Sequence, residues 1–507
     1  MEGFGLEMKI LLINPRSHDD FIRDSGSIML PNNLLVLAGY GRTKGSDFCI
    51  LDMNLDDEVT LLSTLRNWLP DIVGITVKTG PLIKNAVEIS ETVREILPKA
   101  KIVWGGVHPT MLPEQVLKDP FVDIVIIQDG EKTLVELADA LSSNADISQV
   151  PGIAYRDGNK VRFSPPRQLF YNLDELPDPA WDLVDIKRYT KDLRITLNTS
   201  RGCPFLCTFC YNKMMNSGRR AELSARRVFD QICHLYKTYR VQYVDFLEDN
   251  FSANWQRVED FCHLMIKSGI SIKWTYEGRA LDINRESLKL LKSAGCVSIR
   301  FGVESGSPKI LKFIKKGITV EKVRQVFSEC QEAGIDTTMY LMMGIPNETD
   351  RDRKASLSLM DEFPNAAVEL TTYRPYPGTD LFDYCIREGL FTPPNTTSEW
   401  ASISDQYDPH FSVNKTSWRD IWKCQLHGLM HARRRILLSS RYSLYDILNY
   451  MIDTLPIRAE QLSFILHIPR HILVKPARFS VSLFHNILFC IVNWYKHYIH
   501  HENKVSK

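Results

Sequence analysis

Short, mostly apolar runs alternate with amphipathic helical stretches through the first 145 residues, and this alternation limits the possible folds more than any other feature. Lys9–Asn14, Phe48–Asp52, Ile72–Val77, Ile102–Trp104 and Ile124–Ile127 read as strands. Strands without a polar face must be covered on both sides, as in a parallel sheet flanked by helices. Leu34–Thr43, ended near Gly45, and then Leu82–Leu97 and Lys132–Leu141 supply the helices. The expectation is a Rossmann-like α/β domain over residues 1–145. Ligands of such sheets bind beyond the carboxyl ends of the strands. There the sequence places Asn14-Pro15, Thr76 with Lys78-Thr79-Gly80, Gly105-Gly106-Val107-His108-Pro109 and Asp129-Gly130-Glu131.

From 146 to 190 the pattern breaks. An Asp157-Gly158 hairpin turn is followed by Pro165-Pro166, Pro177 and Pro179, which mark a linker. Alternation resumes at Arg194–Asn198 and continues through Tyr243–Leu247, Lys273–Tyr276, Val297–Val303, Thr337–Leu341 and Val368–Thr372. Helical patterns intervene at Val258–Lys267, Leu288–Ser293 and Val320–Ala333, the last stopped by Gly334. Six β/α units over residues 191–395 predict a partial (β/α)6 TIM-type barrel. Barrel sites lie at the C-terminal ends of strands, which gathers Glu248-Asp249-Asn250, Glu277-Gly278-Arg279, Glu304 and Arg374 around one mouth. Residues 396–507 read as a mostly helical C-terminal region.

Charge separates that last region from the rest. Phe411 to Lys507 holds 14 Lys/Arg against 5 Asp/Glu, while the first 410 residues hold 48 against 56. The basic tail suits an anionic surface or ligand. Arg433-Arg434-Arg435, Lys475, Arg478, Lys496 and Lys504, with the aromatic run Phe484–Tyr498, suit peripheral membrane contact, or a helix packed on its own domain. The run Phe479–Ile499 is interrupted by His485, Asn486, Asn493, Lys496 and His497, so no stretch reaches the roughly 20 apolar residues of a span. Met8–Ile13 is too short for a secretory signal, and the scattered cysteines suit a reducing, cytoplasmic setting.

Directly after the first barrel strand comes Ser200-Arg201-Gly202-Cys203-Pro204-Phe205-Leu206-Cys207-Thr208-Phe209-Cys210. Three thiolates spaced C-x3-C-x2-C on a loop can hold three irons of a four-iron cluster and leave the fourth iron open. Structural zinc asks for four ligands, commonly as two cysteine pairs, and no second pair exists. The other eight cysteines, Cys49, Cys233, Cys262, Cys296, Cys330, Cys385, Cys424 and Cys490, show no ligand spacing and read as packing residues.

The motif and its place in a six-unit barrel resemble the radical S-adenosylmethionine (SAM) superfamily. The resemblance implies a 4Fe-4S cluster on Cys203, Cys207 and Cys210. It also implies SAM chelated to the open iron and cleaved to a 5′-deoxyadenosyl radical. Phe209 looks like the aromatic position near the adenine. Glu304, in Gly302-Val303-Glu304-Ser305-Gly306, resembles the carboxylate that binds ribose hydroxyls. Arg279 is expected to pair with the methionine carboxylate, and Glu248 and Asp249 to face SAM from the same mouth.

The first domain resembles the cobalamin-binding module of a large radical SAM subfamily. Pro31-Asn32-Asn33-Leu34-Leu35-Val36-Leu37-Ala38, Gly105-Gly106-Val107-His108-Pro109-Thr110 and Gly130-Glu131-Lys132-Thr133 carry the likeness. Paired glycines admit close backbone approach to a broad ring. Thr76, Thr79, Gly105, Gly106, His108, Gly130 and Glu131 are the residues expected at cobalamin. Many cobalamin domains carry D-x-H-x-x-G with a cobalt-ligating histidine, and Asn14-Pro15-Arg16-Ser17-His18 departs from it. Cobalamin without a histidine ligand is therefore expected. That subfamily includes anaerobic magnesium-protoporphyrin monomethyl ester cyclases and methyltransferases of lipids and natural products. The resemblance implies methyl transfer to an unactivated carbon of a small-molecule or lipid substrate, or an oxidative ring-forming reaction. It further implies a low-potential electron donor such as a flavodoxin or ferredoxin. Two rival readings remain: a zinc-containing nucleic-acid-binding protein, for which no recognised module appears, and a radical enzyme whose first domain binds substrate or a partner. No nucleic-acid partner is expected.

Overall fold

A computed structural model describes residues 8–16, 28–189, 193–216, 218–403, 411–414 and 416–438. The first sheet holds β1 (Lys9–Asn14), β2 (Asp47–Asp52), β3 (Ile72–Thr76), β4 (Lys101–Gly105), β5 (Ile124–Ile126), β6 (Ile153–Asp157) and β7 (Lys160–Phe163), in the order β2-β1-β3-β4-β5-β6-β7. β1 pairs parallel with β2 on one side and β3 on the other, setting Leu12 opposite Ile50 and Gly74. Chain order reverses at β1, which opens a crevice at the carboxyl ends of β1 and β3. Ile10, Leu11, Leu12 and Ile13 are all buried, as strands covered on both faces require.

The hairpin expected in the linker belongs to this sheet. β6 pairs antiparallel with β5, and β7 with β6, so the sheet runs on to Phe163. Ile153 and Ala154 are buried against Ile126 and Val125, whereas the distal hairpin is exposed and charged. A pair of buried residues is too short a pattern to distinguish an edge strand from a linker.

The second sheet holds β8 (Arg194–Leu197), β11 (Tyr243–Phe246), β12 (Lys273–Gly278), β13 (Cys296–Glu304), β14 (Asp336–Met343) and β15 (Ala367–Thr372). Their order is β15-β14-β13-β12-β11-β8, every neighbouring pair parallel. β8 and β15 do not pair, so the barrel stays open. Between β8 and β11 lies a two-stranded antiparallel ribbon of β9 (Ser200–Arg201) and β10 (Ala221–Glu222). Trp274, Tyr276, Phe246, Phe251 and Phe261 form one aromatic cluster, with Phe246 and Phe251 centroids 4.6 Å apart. Period-two alternation turns Asp245, Glu277, Arg300 and Tyr340 to the opposite face. There Arg300 pairs with Asp245, and Tyr340 donates to Glu277 at 3.2 Å.

Helix starts follow local chemistry. Ser224, Asn254 and Thr319 cap Ala225–Tyr239, Trp255–Ser268 and Val320–Glu332, and Asn284 and Thr349 form full capping boxes. Each such cap contributes about 1 kcal/mol. The C-terminal region does not stand apart from its start. The turn Ser398–Ser402 returns to the first sheet's flank, where Trp400 Nε1 donates to Gln115 Oε1 at 2.8 Å. Helix Trp418–Leu438 follows, its Gly428 against Leu370 of β15. No helix among the described residues is long and apolar enough to cross a membrane. Residues 439–507, with most of the basic tail, lie outside the described residues, as does His18.

Candidate active site

The cysteine loop is closed at its base by the β9–β10 ribbon, Arg201 opposite Ala221 and Ser200 opposite Glu222. Gly202 has φ +84°, and a Cβ there would sit 2.0 Å from the Arg219 carbonyl oxygen. Only glycine fits. Arg220 Nη1 donates to the Asn250 carbonyl at 2.6 Å, and Thr208 N to the Ile314 carbonyl at 3.0 Å, joining the loop to the barrel.

Glu248 fastens this base. Its buried carboxylate accepts from Thr199 N at 2.6 Å and from the Thr199 and Ser200 hydroxyls, with Arg257 Nη1 at 3.9 Å and Arg220 Nη2 at 4.0 Å. Expected to face SAM, Glu248 is here a buried carboxylate satisfied by loop donors. Asp249 differs. It accepts from Gly202 N at 2.9 Å, and the residue is exposed at the mouth.

Cys203, Cys207 and Cys210 are free and partly exposed. Burial raises the Cys203 thiol and pushes Cys210 up to about 11. Thiols in such surroundings stay protonated until a metal takes the proton's place, so this donor set fits iron. Among the described residues no three His, Cys, Asp or Glu side chains converge on one ion. A four-iron cluster does not ask for convergence, since each thiolate takes its own iron.

Arg279 lies beside this loop. Its Nη1 donates to Cys207 Sγ at 3.4 Å, its guanidinium stacks 3.8 Å over the Phe205 ring, and Nη2 donates to the Lys316 carbonyl. Lys316 is the residue that sequence reading missed. Its Nζ donates to Glu304 Oε1 at 2.7 Å and stands 5.8 Å from the Phe209 ring centroid. Three expected SAM residues, Phe209, Arg279 and Glu304, therefore meet around one lysine. Glu304 ends β13 with φ +69°, just past a register irregularity against β14. At Gly302 a Cβ would come 2.6 Å from Glu304 Oε1 and 2.7 Å from Lys316 Nζ, so the glycine makes room for the pair. The available signal was Lys315-Lys316-Gly317, two lysines before a turn at φ +70°, but consecutive lysines usually mark a solvated turn.

At the edge of the first sheet, Gly106 has φ +101° and a Cβ there would meet the Val77 carbonyl at 2.9 Å; a Cβ at Gly105 would meet nothing within 4 Å. Thr76 Oγ1 accepts from Asn33 Nδ2 at 2.9 Å. Lys78 is exposed beside them. Open space, hydroxyls and a sheet switch point suit a broad, amide-fringed ring such as cobalamin. Gly130 is packed instead, a Cβ there coming 3.1 Å from Leu37.

Two expected cobalamin residues are engaged elsewhere. His108 has no exposed surface, its Nδ1 3.3 Å from Thr79 Oγ1 and its ring edge-on to Trp400 at 6.0 Å. Desolvation lowers its pKa to about 4. The short helix Val107–Met111 turns it into the protein, which sequence read as a strand-end turn. Glu131 is also buried and ion-paired with Arg201, beside Asp129.

A parallel sheet with a glycine-rich edge and a three-cysteine barrel loop define a two-cofactor α/β enzyme. Residues 197–360 match the model of the Radical SAM superfamily, and residues 19–138 that of the B12 binding domain. An uncharacterized methyltransferase of Pyrococcus horikoshii is 33% identical over 76% of this chain and 85% of its own. The anaerobic magnesium-protoporphyrin IX monomethyl ester cyclase of Cereibacter sphaeroides is 28% identical over 74% of this chain and 63% of its own. The structure of the cobalamin-dependent radical SAM enzyme OxsB, with aqua-cobalamin and SAM bound, shares the fold. Its TM-score is 0.67 at 21% identity, covering 99% of this chain and 80% of that one. The chain belongs to the cobalamin-binding radical SAM family, whose cofactors are a 4Fe-4S cluster, SAM and cobalamin.

Proposed function

We propose that this enzyme transfers a methyl group to an unactivated carbon of a small-molecule or lipid substrate. One observation carries the reading: the segment 128–131 at the first sheet's edge touches the cysteine loop on both flanks, through Arg201 and through the Met214 carbonyl. Groups bound at the two sites would then face one space. When bound, the cluster supplies the electron that cleaves SAM and cobalamin supplies the methyl group. Cys203, Cys207 and Cys210 hold the cluster; Glu304 and Phe209, organised by Lys316, hold the nucleoside of SAM; Arg279 and Asp249 lie toward its amino-acid end. Thr76, Thr79, Gly105 and Gly106 form the edge that receives cobalamin, with Gly130 packed beneath it. His108 and Glu131 shape that edge from behind. Electrons come from a low-potential flavodoxin or ferredoxin in a reducing cytoplasm.

An oxidative ring-forming reaction is the second reading, favoured by the likeness to the cyclase. The experiment is anaerobic turnover of reconstituted protein with methyl-deuterated SAM and candidate substrates, followed by mass spectrometry. A product carrying the label is expected. A dehydrogenated or oxygenated product without label would replace methyl transfer by the second reading.

A further inference from the structure

We infer that Arg201 is a positioning residue that sets the spacing between the cobalamin edge and the iron–sulfur loop. This rests on the two-cofactor reading above. Arg201 stands two residues before Cys203. Its Nη1 lies 3.0 Å from Asp129 Oδ1 and 3.2 Å from Glu131 Oε2, and Nη2 bonds Glu131 Oε1. The side chains of Glu131, Asp129 and Arg201 are 3, 13 and 25% exposed, so the triad is largely dry.

Each member is itself held. Glu131 opens helix Glu131–Ser142, where its charge meets the positive end of the helix dipole. The second oxygen of Asp129 accepts from Phe170 N at 3.2 Å. Arg201 is pinned by pairing with Ala221, and at Gly202 the backbone passes so close to Arg219 that a Cβ would not fit. On the loop's far flank, Gln128 Nε2 donates to the Met214 carbonyl at 2.9 Å. One stretch of the first domain, 128–131, thus grips both ends of the loop that carries all three cysteines.

The choice of chemistry argues for spacing rather than adhesion. Replacing a buried ion pair by packed apolar groups often leaves a protein equally stable, so adhesion alone does not call for one. A guanidinium held by two carboxylates instead fixes distance and orientation together. Reactions between groups held on separate elements demand this, because a misplacement of about 1 Å can cost about 100-fold in rate.

The test uses the full chain, reconstituted anaerobically with iron, sulfide and cob(II)alamin and then reduced. Pulsed electron paramagnetic resonance reads the distance distribution between Co(II) and the reduced cluster. A narrow distribution is expected for the parent, and one broadened about twofold or more for Arg201→Met at unchanged iron and cobalamin content. Arg201→Lys, which keeps the charge but loses the two-pronged fork, should broaden it less than Arg201→Met. An unchanged distribution in Arg201→Met overturns the inference. Hydrogen exchange over residues 201–214 in Glu131→Gln gives an arm that needs no cobalamin, with exchange about tenfold faster expected. Unchanged exchange there also overturns the inference. Failure to bind cobalamin at all would sink the two-cofactor reading, while the exchange arm would still judge the clasp.

Discussion

Lys316 and Glu304 form a buried ion pair, Nζ to Oε1 at 2.7 Å, inside the cleft where Phe209 and Arg279 converge. Lys316 is 6% and Glu304 8% exposed, and Gly302 leaves them the space. Removing one partner strands the other's charge. Lys316→Met should therefore destabilise the protein by about 3–5 kcal/mol, measured by urea denaturation, and adding Glu304→Gln should recover much of it. A loss under 1 kcal/mol (about the worth of an exposed pair) would show that the pair is solvated.

Glu304→Gln should weaken SAM binding by about 1–3 kcal/mol, since a charged acceptor becomes neutral. Iron content should not change. Calorimetric titration against the reconstituted enzyme reads the affinity, and equal affinity would return Glu304 to a purely structural role.

Replacing any one of Cys203, Cys207 or Cys210 with alanine should bleach the absorption at about 400 nm and abolish reductive SAM cleavage. A variant with normal iron content and normal 5′-deoxyadenosine formation would remove that cysteine from the ligand set.

Bound Co(II) should give an electron paramagnetic resonance spectrum without nitrogen superhyperfine splitting from an axial base. The Asn14–His18 stretch departs from the ligating motif, and His108 is sealed within the protein. Splitting that disappears on substituting His18 or His108 would contradict this.

His108 also makes a pH prediction. Its folded pKa of about 4 lies below the ordinary 6.5 because burial penalises the cation. The associated stability is complete above about 6.5 and is lost as pH falls toward 4, where the unfolded chain takes up a proton that the folded chain refuses. The loss amounts to at most about 3 kcal/mol. The melting temperature of His108→Phe should fall less than the parent's between pH 7 and 5. Parallel curves would mean that His108 titrates freely.

The alternating strands, the helix stops and the C-x3-C-x2-C loop were legible in sequence, because period, turn chemistry and ligand spacing are local. Ile10–Ile13 had to lie between two covered faces, and three cysteines on a Gly-Pro loop had to be a site. The partners of the charged residues could not be read this way. Glu248, Glu131 and His108 each sit at a strand end where ligands bind, yet folding delivers Thr199, Arg201 and Trp400 to them across 49, 70 and almost 300 residues of chain. Lys316 went unnoticed although Glu304 stands only 12 residues before it, because consecutive lysines ahead of a glycine turn read as a solvated pair. Local pattern determined which elements form and where the three-cysteine loop and the glycine-rich edge lie. Only tertiary structure decided which carboxylates are neutralised inside and which remain open to a ligand, because burial and ion pairing are set by residues brought together from far along the chain.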